Sequence, residues 1–104
     1  MKEITVEELK LKIDQEEDFQ LIDVREEFEY ETSNINGENI PLGSVLEDLE
    51  KISKDKPVIV HCKSGKRSAQ AISLLESRGF TNLSNLKGGI LAWRDAFDSD
   101  MIVH

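Results

Sequence analysis

The run Val58-Ile59-Val60-His61-Cys62-Lys63-Ser64-Gly65-Lys66-Arg67-Ser68 constrains this chain most. Three β-branched residues after Pro57 lead straight into its one cysteine and a short loop bearing three cations. β-Branched residues fit a buried, pleated strand, and the segment from about Ser68 has helical spacing that turns Ala71, Ile72 and Leu75 inward. Cys62 therefore falls at a strand's carboxyl end, where open α/β sheets keep their chemistry.

The rest of the chain alternates apolar runs with helical patterns, which predicts a doubly wound α/β sheet of about five mainly parallel strands with helices on both faces. Ile4 sits in a short first strand, and Thr5-Val6-Glu7-Glu8 is a capping box opening a helix through about Lys12. Phe19 to Val24 reads as the second strand, Glu26 to about Thr32 as a short helix, and Glu38 to Ile40 as a short strand. Ser44 to Ile52 has helical spacing, with Val45, Leu46, Leu49 and Ile52 on one side. Gly79 is expected to end the helix after Cys62, Asn82 to Leu86 to supply the fifth strand, and Gly88 and Gly89 to let the backbone turn close to the active loop. A last helix carries Trp93 and Phe97, and Ser99 to His104 is expected to be loosely held or to await a partner. No repeat or linker divides residues 1–104, so one domain is expected.

A free thiol titrates near 8.5, but neighbouring cations, backbone N–H groups and a helix N-terminus all favour the thiolate. Lys63, Lys66 and Arg67 supply charge, and Gly65 can take positive φ, so that residues 63 to 67 curl into a nest of inward N–H groups with a helix end behind it. A cysteine buried as a small hydrophobe is the plainer alternative, and K-S-G-K-R is a poor place to hide sulfur. Spacing then separates two chemistries. Cysteine-dependent phosphatases place five residues between Cys and Arg to ring a phosphate, whereas only Lys63, Ser64, Gly65 and Lys66 separate Cys62 from Arg67. The tighter cradle suits a cysteine carrying one extra sulfur.

At this point the chain resembles the rhodanese family of sulfurtransferases. Leu21-Ile22-Asp23-Val24-Arg25-Glu26 looks like the family's second-strand motif, Asn39-Ile40-Pro41-Leu42 like its turn, and Leu86-Lys87-Gly88-Gly89-Ile90-Leu91-Ala92-Trp93 like its C-terminal signature. Where many members have His-Ile-Pro-Gly, this chain has Asn34-Ile35-Asn36-Gly37 followed by Glu38. That variant, with Ala92-Trp93-Arg94-Asp95 and a short acidic tail, is similar to rhodanese domains appended to molybdopterin-synthase adenylyltransferases of the MoeB/ThiF type. The resemblance implies Cys62 as the catalytic sulfur carrier, taking sulfane sulfur from thiosulfate or a persulfide and passing it to a nucleophilic acceptor. Lys63, Ser64, Gly65, Lys66 and Arg67 are expected to bind the donor, and Asp23, Arg25 and Ser68 to support the loop, the first two as a paired network. Partners implied are a small anionic donor or a protein persulfide, and a ubiquitin-like sulfur-carrier protein or an adenylyltransferase. A relay module whose thiol works only when docked, and a cysteine-dependent phosphatase or arsenate reductase, are the alternatives.

Twenty-one acidic against thirteen basic residues give a formal charge of −8, which disfavours nucleic acid as a partner and leaves the loop a local positive focus. Glu16-Glu17-Asp18 and the acidic run from Glu26 to Glu31 read as solvated faces. Nothing in the sequence suggests a signal peptide or a membrane span, and a reactive lone thiol suits a reducing cytoplasm. Two His and one Cys without ligand spacing suggest no metal, and no cofactor is implied. Strand alternation points His61 away from Cys62, toward packing or hydrogen bonding, and Trp93 reads as core.

Overall fold

In the computed structural model, which describes residues 1–104, every strand pairs in parallel. β1 (Glu3–Ile4), β2 (Gln20–Asp23), β3 (Glu38–Asn39), β4 (Val58–His61) and β5 (Leu83–Leu86) form one sheet in the order β1-β5-β4-β2-β3. The helices are α1 (Val6–Asp14), α2 (Glu27–Thr32), α3 (Lys66–Glu76) and α4 (Gly89–Phe97). β4 is the central strand and all four of its residues are buried, as a parallel strand covered on both faces requires. The period-two pleat divides its side chains. Val58, Val60 and Cys62 join Ile22, Val24 and Val45 beneath Ala71, Ile72 and Leu75 of α3, while Ile59 joins Leu9 of α1, Leu86 and Ile90 of α4 on the other side.

Local signals account for most element ends. The Thr5 hydroxyl accepts the Glu8 N–H at 3.1 Å and the Glu8 carboxylate accepts the Thr5 N–H at 3.0 Å, so α1 opens on the expected capping box and runs to Asp14. Gly79, at φ 91°, lets the Phe80 N–H return to the Leu75 carbonyl and brings buried Phe80 under α3, which itself ends earlier, at Glu76. Asn36 occupies the left-handed region at φ 67°, a conformation closed to the proline that many relatives of the motif carry there. The Asn34 side chain accepts the Asn36 N–H at 2.9 Å and so stabilises this alternative turn.

Two expectations are corrected. Residues 44–52 form no α-helix. They fall in two 3₁₀ segments, Leu42–Glu47 and Leu49–Lys51, closed by bonds such as Ser44 N–H to the Pro41 carbonyl and Ile52 N–H to the Leu49 carbonyl. A 3₁₀ segment rises about 2.0 Å per residue against about 1.5 Å for an α-helix, so this short crossover reaches the start of β4 while still burying Val45 and Ile52. The C-terminal residues are held rather than loose. Met101 and Val103 pack on the cluster beneath α4, the Ser33 hydroxyl donates to the Ile102 carbonyl, and the His104 ring lies 6.3 Å from that of Phe28. No helix is long and apolar enough to cross a membrane.

Candidate active site

β4 delivers Cys62 to the sheet's carboxyl edge, and the chain turns back at once through Gly65, whose φ of 116° needs glycine. α3 begins at Lys66, two residues before the expected start, so Lys66, Arg67 and Ser68 form the first helical turn and not a free loop. Of that turn's unpaired N–H groups, the one of Ser68 faces the sulfur. The Gly65 N–H donates to Cys62 Sγ at 3.1 Å, and the Ser68 hydroxyl lies 3.3 Å from it. Burial would push the thiol up, but the Ser68 hydroxyl and the N–H groups of Ser68, Gly65 and Ser64 outweigh it and hold Cys62 below the ordinary thiol range. Backbone and hydroxyl donors, more than the three cations, set this thiol's ionisation. Cys62 is only 1% exposed, so the sulfur lies at the base of the cradle.

The cations divide by role. Arg67 is engaged by Glu29 of α2 in a two-pronged pair at 2.6 and 3.0 Å. Glu29 also accepts the Glu26 N–H at 2.9 Å, and the Arg67 guanidinium keeps its carboxyl below the ordinary range. Lys66 is exposed and Lys63 half-buried beside it. Glu29 corrects the reading of residues 26–31 as a wholly solvated face: it is buried, while Glu26, Glu27, Phe28 and Glu31 are exposed. Its single inward position on α2 is visible only once the helix is placed against Arg67.

Asp23 and Arg25 do form the expected pair, wholly buried, with Arg25 Nη2 2.7 Å and Nε 3.0 Å from the carboxylate. Their further bonds run elsewhere than the cysteine loop. Arg25 Nη2 donates to the Ser33 carbonyl, and the Asn39 amide donates to the carbonyls of Asp23 and Arg25, so the pair fixes the turn between β2 and β3. On the β4 side the pair faces His61, whose Nε2 lies 3.6 Å from Asp23 Oδ2 without a hydrogen-bond partner and whose Nδ1 faces the Cys62 carbonyl at 3.3 Å. Burial pushes the His61 imidazole below its ordinary value against the pull of Asp23, whose charge is already matched by Arg25. His61 is thus a buried, neutral brace on the far side of the strand from the sulfur.

Two more supports come from the chain's last third. At Gly89 (φ 59°) α4 starts so close to the loop that the Ile90 N–H donates to the Cys62 carbonyl at 3.0 Å and the Leu91 N–H to the Lys63 carbonyl at 3.2 Å. The expected close turn at Gly88 and Gly89 is therefore present, and it acts as a clamp on the loop's carbonyls. Asn85 of β5, which the sequence did not single out, reaches across to two site groups. Its Oδ1 accepts the Ser68 hydroxyl at 2.6 Å and its Nδ2 donates to the Gly65 carbonyl at 3.1 Å. No group of three or more His, Cys, Asp or Glu side chains is placed to hold a metal ion.

The chain is similar to known proteins in sequence and in fold. The chain is 34% identical over 104 residues to the probable adenylyltransferase/sulfurtransferase MoeZ of Mycobacterium tuberculosis, covering 97% of this chain but 26% of MoeZ, and so spans about a quarter of that relative's length. It is 38% identical over 94 residues to the putative sulfurtransferase YtwF of Bacillus subtilis, covering 89% of this chain and 90% of YtwF. The crystal structure of a rhodanese-like domain protein from Staphylococcus aureus superposes with a TM-score of 0.85 at 31% identity, over 100% of this chain and 99% of the other. Residues 5–96 match the model of the rhodanese-like domain, and the chain belongs to that family.

Proposed function

We propose that this chain is a sulfurtransferase that carries sulfane sulfur as a persulfide on Cys62. The ring of donors around Sγ, from Gly65 N–H, Ser68 and the first turn of α3, is the observation that carries the reading. The Cys62 thiolate attacks the outer sulfur of thiosulfate, the S–S bond of the donor breaks, and sulfite leaves with its electron pair. The product is Cys62-S-S⁻, whose charge the same N–H groups stabilise. A thiolate or other nucleophile then attacks the terminal sulfur and releases the Cys62 thiolate, with no external oxidant or reductant. Lys63, Ser64, Gly65, Lys66 and Arg67 form the donor-binding rim, with Lys66 the exposed cation and Arg67 anchored by Glu29. Such a thiol requires a reducing compartment such as the cytoplasm.

The burial of Cys62 favours one second reading, a relay module loaded by a protein persulfide and unloaded onto a carrier protein such as a ubiquitin-like one, or onto an adenylyltransferase. One experiment separates these readings. Protein incubated with thiosulfate is weighed by intact-mass spectrometry for the gain of one sulfur that dithiothreitol removes, with Cys62→Ser as the blank. A gain in Cys62→Ser refutes the assignment. No gain from thiosulfate but rapid gain from a protein persulfide selects the relay. Hydrolysis of p-nitrophenyl phosphate faster than sulfur transfer would select the phosphatase reading and refute both.

A further inference from the structure

Asn85 is 5% exposed on β5, adjacent to β4, and its amide is fully committed. The Gly65 carbonyl can only accept, so the Asn85 amino group must face it, 3.1 Å away, and Oδ1 must face Ser68. Oδ1 can also only accept. The Ser68 hydroxyl, 2.6 Å from it, therefore donates its one proton to Asn85 in the resting protein. At 3.3 Å on the other side of the same oxygen lies Cys62 Sγ. With its proton spent on Asn85, Ser68 has only lone pairs to offer the sulfur, and these suit a protonated thiol that donates to them. A thiolate or persulfide anion needs the opposite arrangement, in which the hydroxyl turns from Asn85 to the sulfur. One proton thus has two alternative acceptors, and Asn85 competes with the sulfur for it.

Resting on the reading of Cys62 as the nucleophile, we propose that Asn85 is a positioning residue that sets the direction of the Ser68 hydroxyl and so limits how far that hydroxyl favours the Cys62 thiolate. The hydroxyl turns to the sulfur when negative charge develops there, and returns to Asn85 when the thiol is restored. Other charged groups also surround this exchange. Arg67 is held by Glu29 with Glu26 near, Lys63 and Lys66 flank the loop, and His61 lies behind the strand with Asp23 and Arg25. On the β5 side Asn85 meets the uncharged thioether of Met1 and lies in register with the exposed Glu3 of β1.

The test follows alkylation of Cys62 by iodoacetamide across pH, read by intact mass, which needs no sulfur donor. Asn85→Leu removes the competing acceptor, and Asn85→Asp replaces it with a stronger, charged one; both lose the donor to Gly65. The net worth of one hydrogen bond sets the size, roughly two- to tenfold in rate below the alkylation midpoint. Asn85→Leu should raise that rate and move the midpoint to lower pH, and Asn85→Asp should do the reverse. In a Ser68→Ala background the Asn85→Leu effect should vanish, because no hydroxyl remains to redirect. A merely structural role moves both variants in the same direction, and that result overturns the proposal, as does an Asn85→Leu effect that survives in Ser68→Ala. Asn85→Val is the replacement to use if leucine distorts β5, with melting curves confirming the fold. A protein that fails to take up sulfur yet shows opposite shifts would refute the proposed function and keep this inference.

Discussion

Replacing Gly89 by alanine should unfasten the active loop from α4. An alanine Cβ there would lie 2.4 Å from the Lys63 carbonyl oxygen, 2.6 Å from the Lys63 carbonyl carbon and 2.7 Å from the Cys62 carbonyl oxygen. None of these is the end of a flexible side chain, so the first turn of α4 or the cysteine loop itself has to move. Gly89 also sits at φ 59°, where a non-glycine residue costs about 1–2 kcal/mol. Relieving the overlap in a packed region adds about 1–3 kcal/mol. The total of about 2–5 kcal/mol is a large share of the roughly 5–15 kcal/mol that holds a domain folded. It should lower the melting temperature by roughly 10–30 °C, followed by circular dichroism. Whatever fraction remains folded should load sulfur at least about tenfold more slowly, since the bonds from Ile90 and Leu91 that fix the Cys62 and Lys63 carbonyls are strained. Gly43→Ala is the matched control, because its Cβ meets nothing within 4 Å, and it should change stability by no more than about 0.5 kcal/mol. A Gly89→Ala protein melting within about 3 °C of wild type would refute the clamp.

The remaining predictions concern charge. Unfolded His61 takes up a proton near its ordinary value while the buried imidazole resists it, so the unfolded state binds more protons there and stability falls as pH drops below about 6.5. Glu29, held low by Arg67, adds its loss only as pH falls below about 4.5 through its lowered folded value, so acid unfolding should show an early and a late component. His61→Gln should remove the early component in urea titrations at successive pH values; an unchanged profile would mean that His61 is protonated in the fold. Lys66→Ala should reduce kcat/KM for thiosulfate about two- to fivefold, and less at high salt, while leaving the alkylation midpoint of Cys62 in place. A midpoint raised as far as in Ser68→Ala would return control of the thiol to the lysine.

The sheet was legible because each strand carries its own evidence. Val58-Ile59-Val60 and Leu21-Ile22 are apolar runs bounded by polar or turn residues, Leu83-Ser84-Asn85-Leu86 is a short segment with a leucine at each end, and all four helices have a facial pattern or a cap. The failures have a common physical origin. Residues 44–52 space their apolar side chains in a way that serves an α-helix and a 3₁₀ segment alike, and the crossover distance decides between them only in three dimensions. The tail's Met101-Ile102-Val103 run is too short to announce an element, yet Met101 and Val103 pack on the cluster that includes Ile90 of α4. At the site, Cys62 and its loop are contiguous and could be read directly. Glu29 and Asn85 act through contacts 38 and 17 residues away in the chain, to Arg67 and Ser68, and each looks ordinary in its own segment.

That distribution divides the work of the site. The groups that set the sulfur's charge are the Gly65, Ser64 and Ser68 N–H groups and one hydroxyl, and their positions depend on the Gly65 turn, the α4 clamp and Asn85. Side-chain cations enter mainly where a donor would approach, with Lys66 exposed at the rim and Arg67 neutralised by Glu29. Exchanging a rim cation therefore changes which anion is attracted while the thiol keeps its reactivity, whereas a change in the supporting backbone alters the thiol for every donor. Arg67 is the one cation that is both at the rim and paired into the fold. Its loss would leave the buried Glu29 carboxylate unpaired beside α2, so it should weaken the fold as well as donor binding, and of the three cations it is the least free to vary.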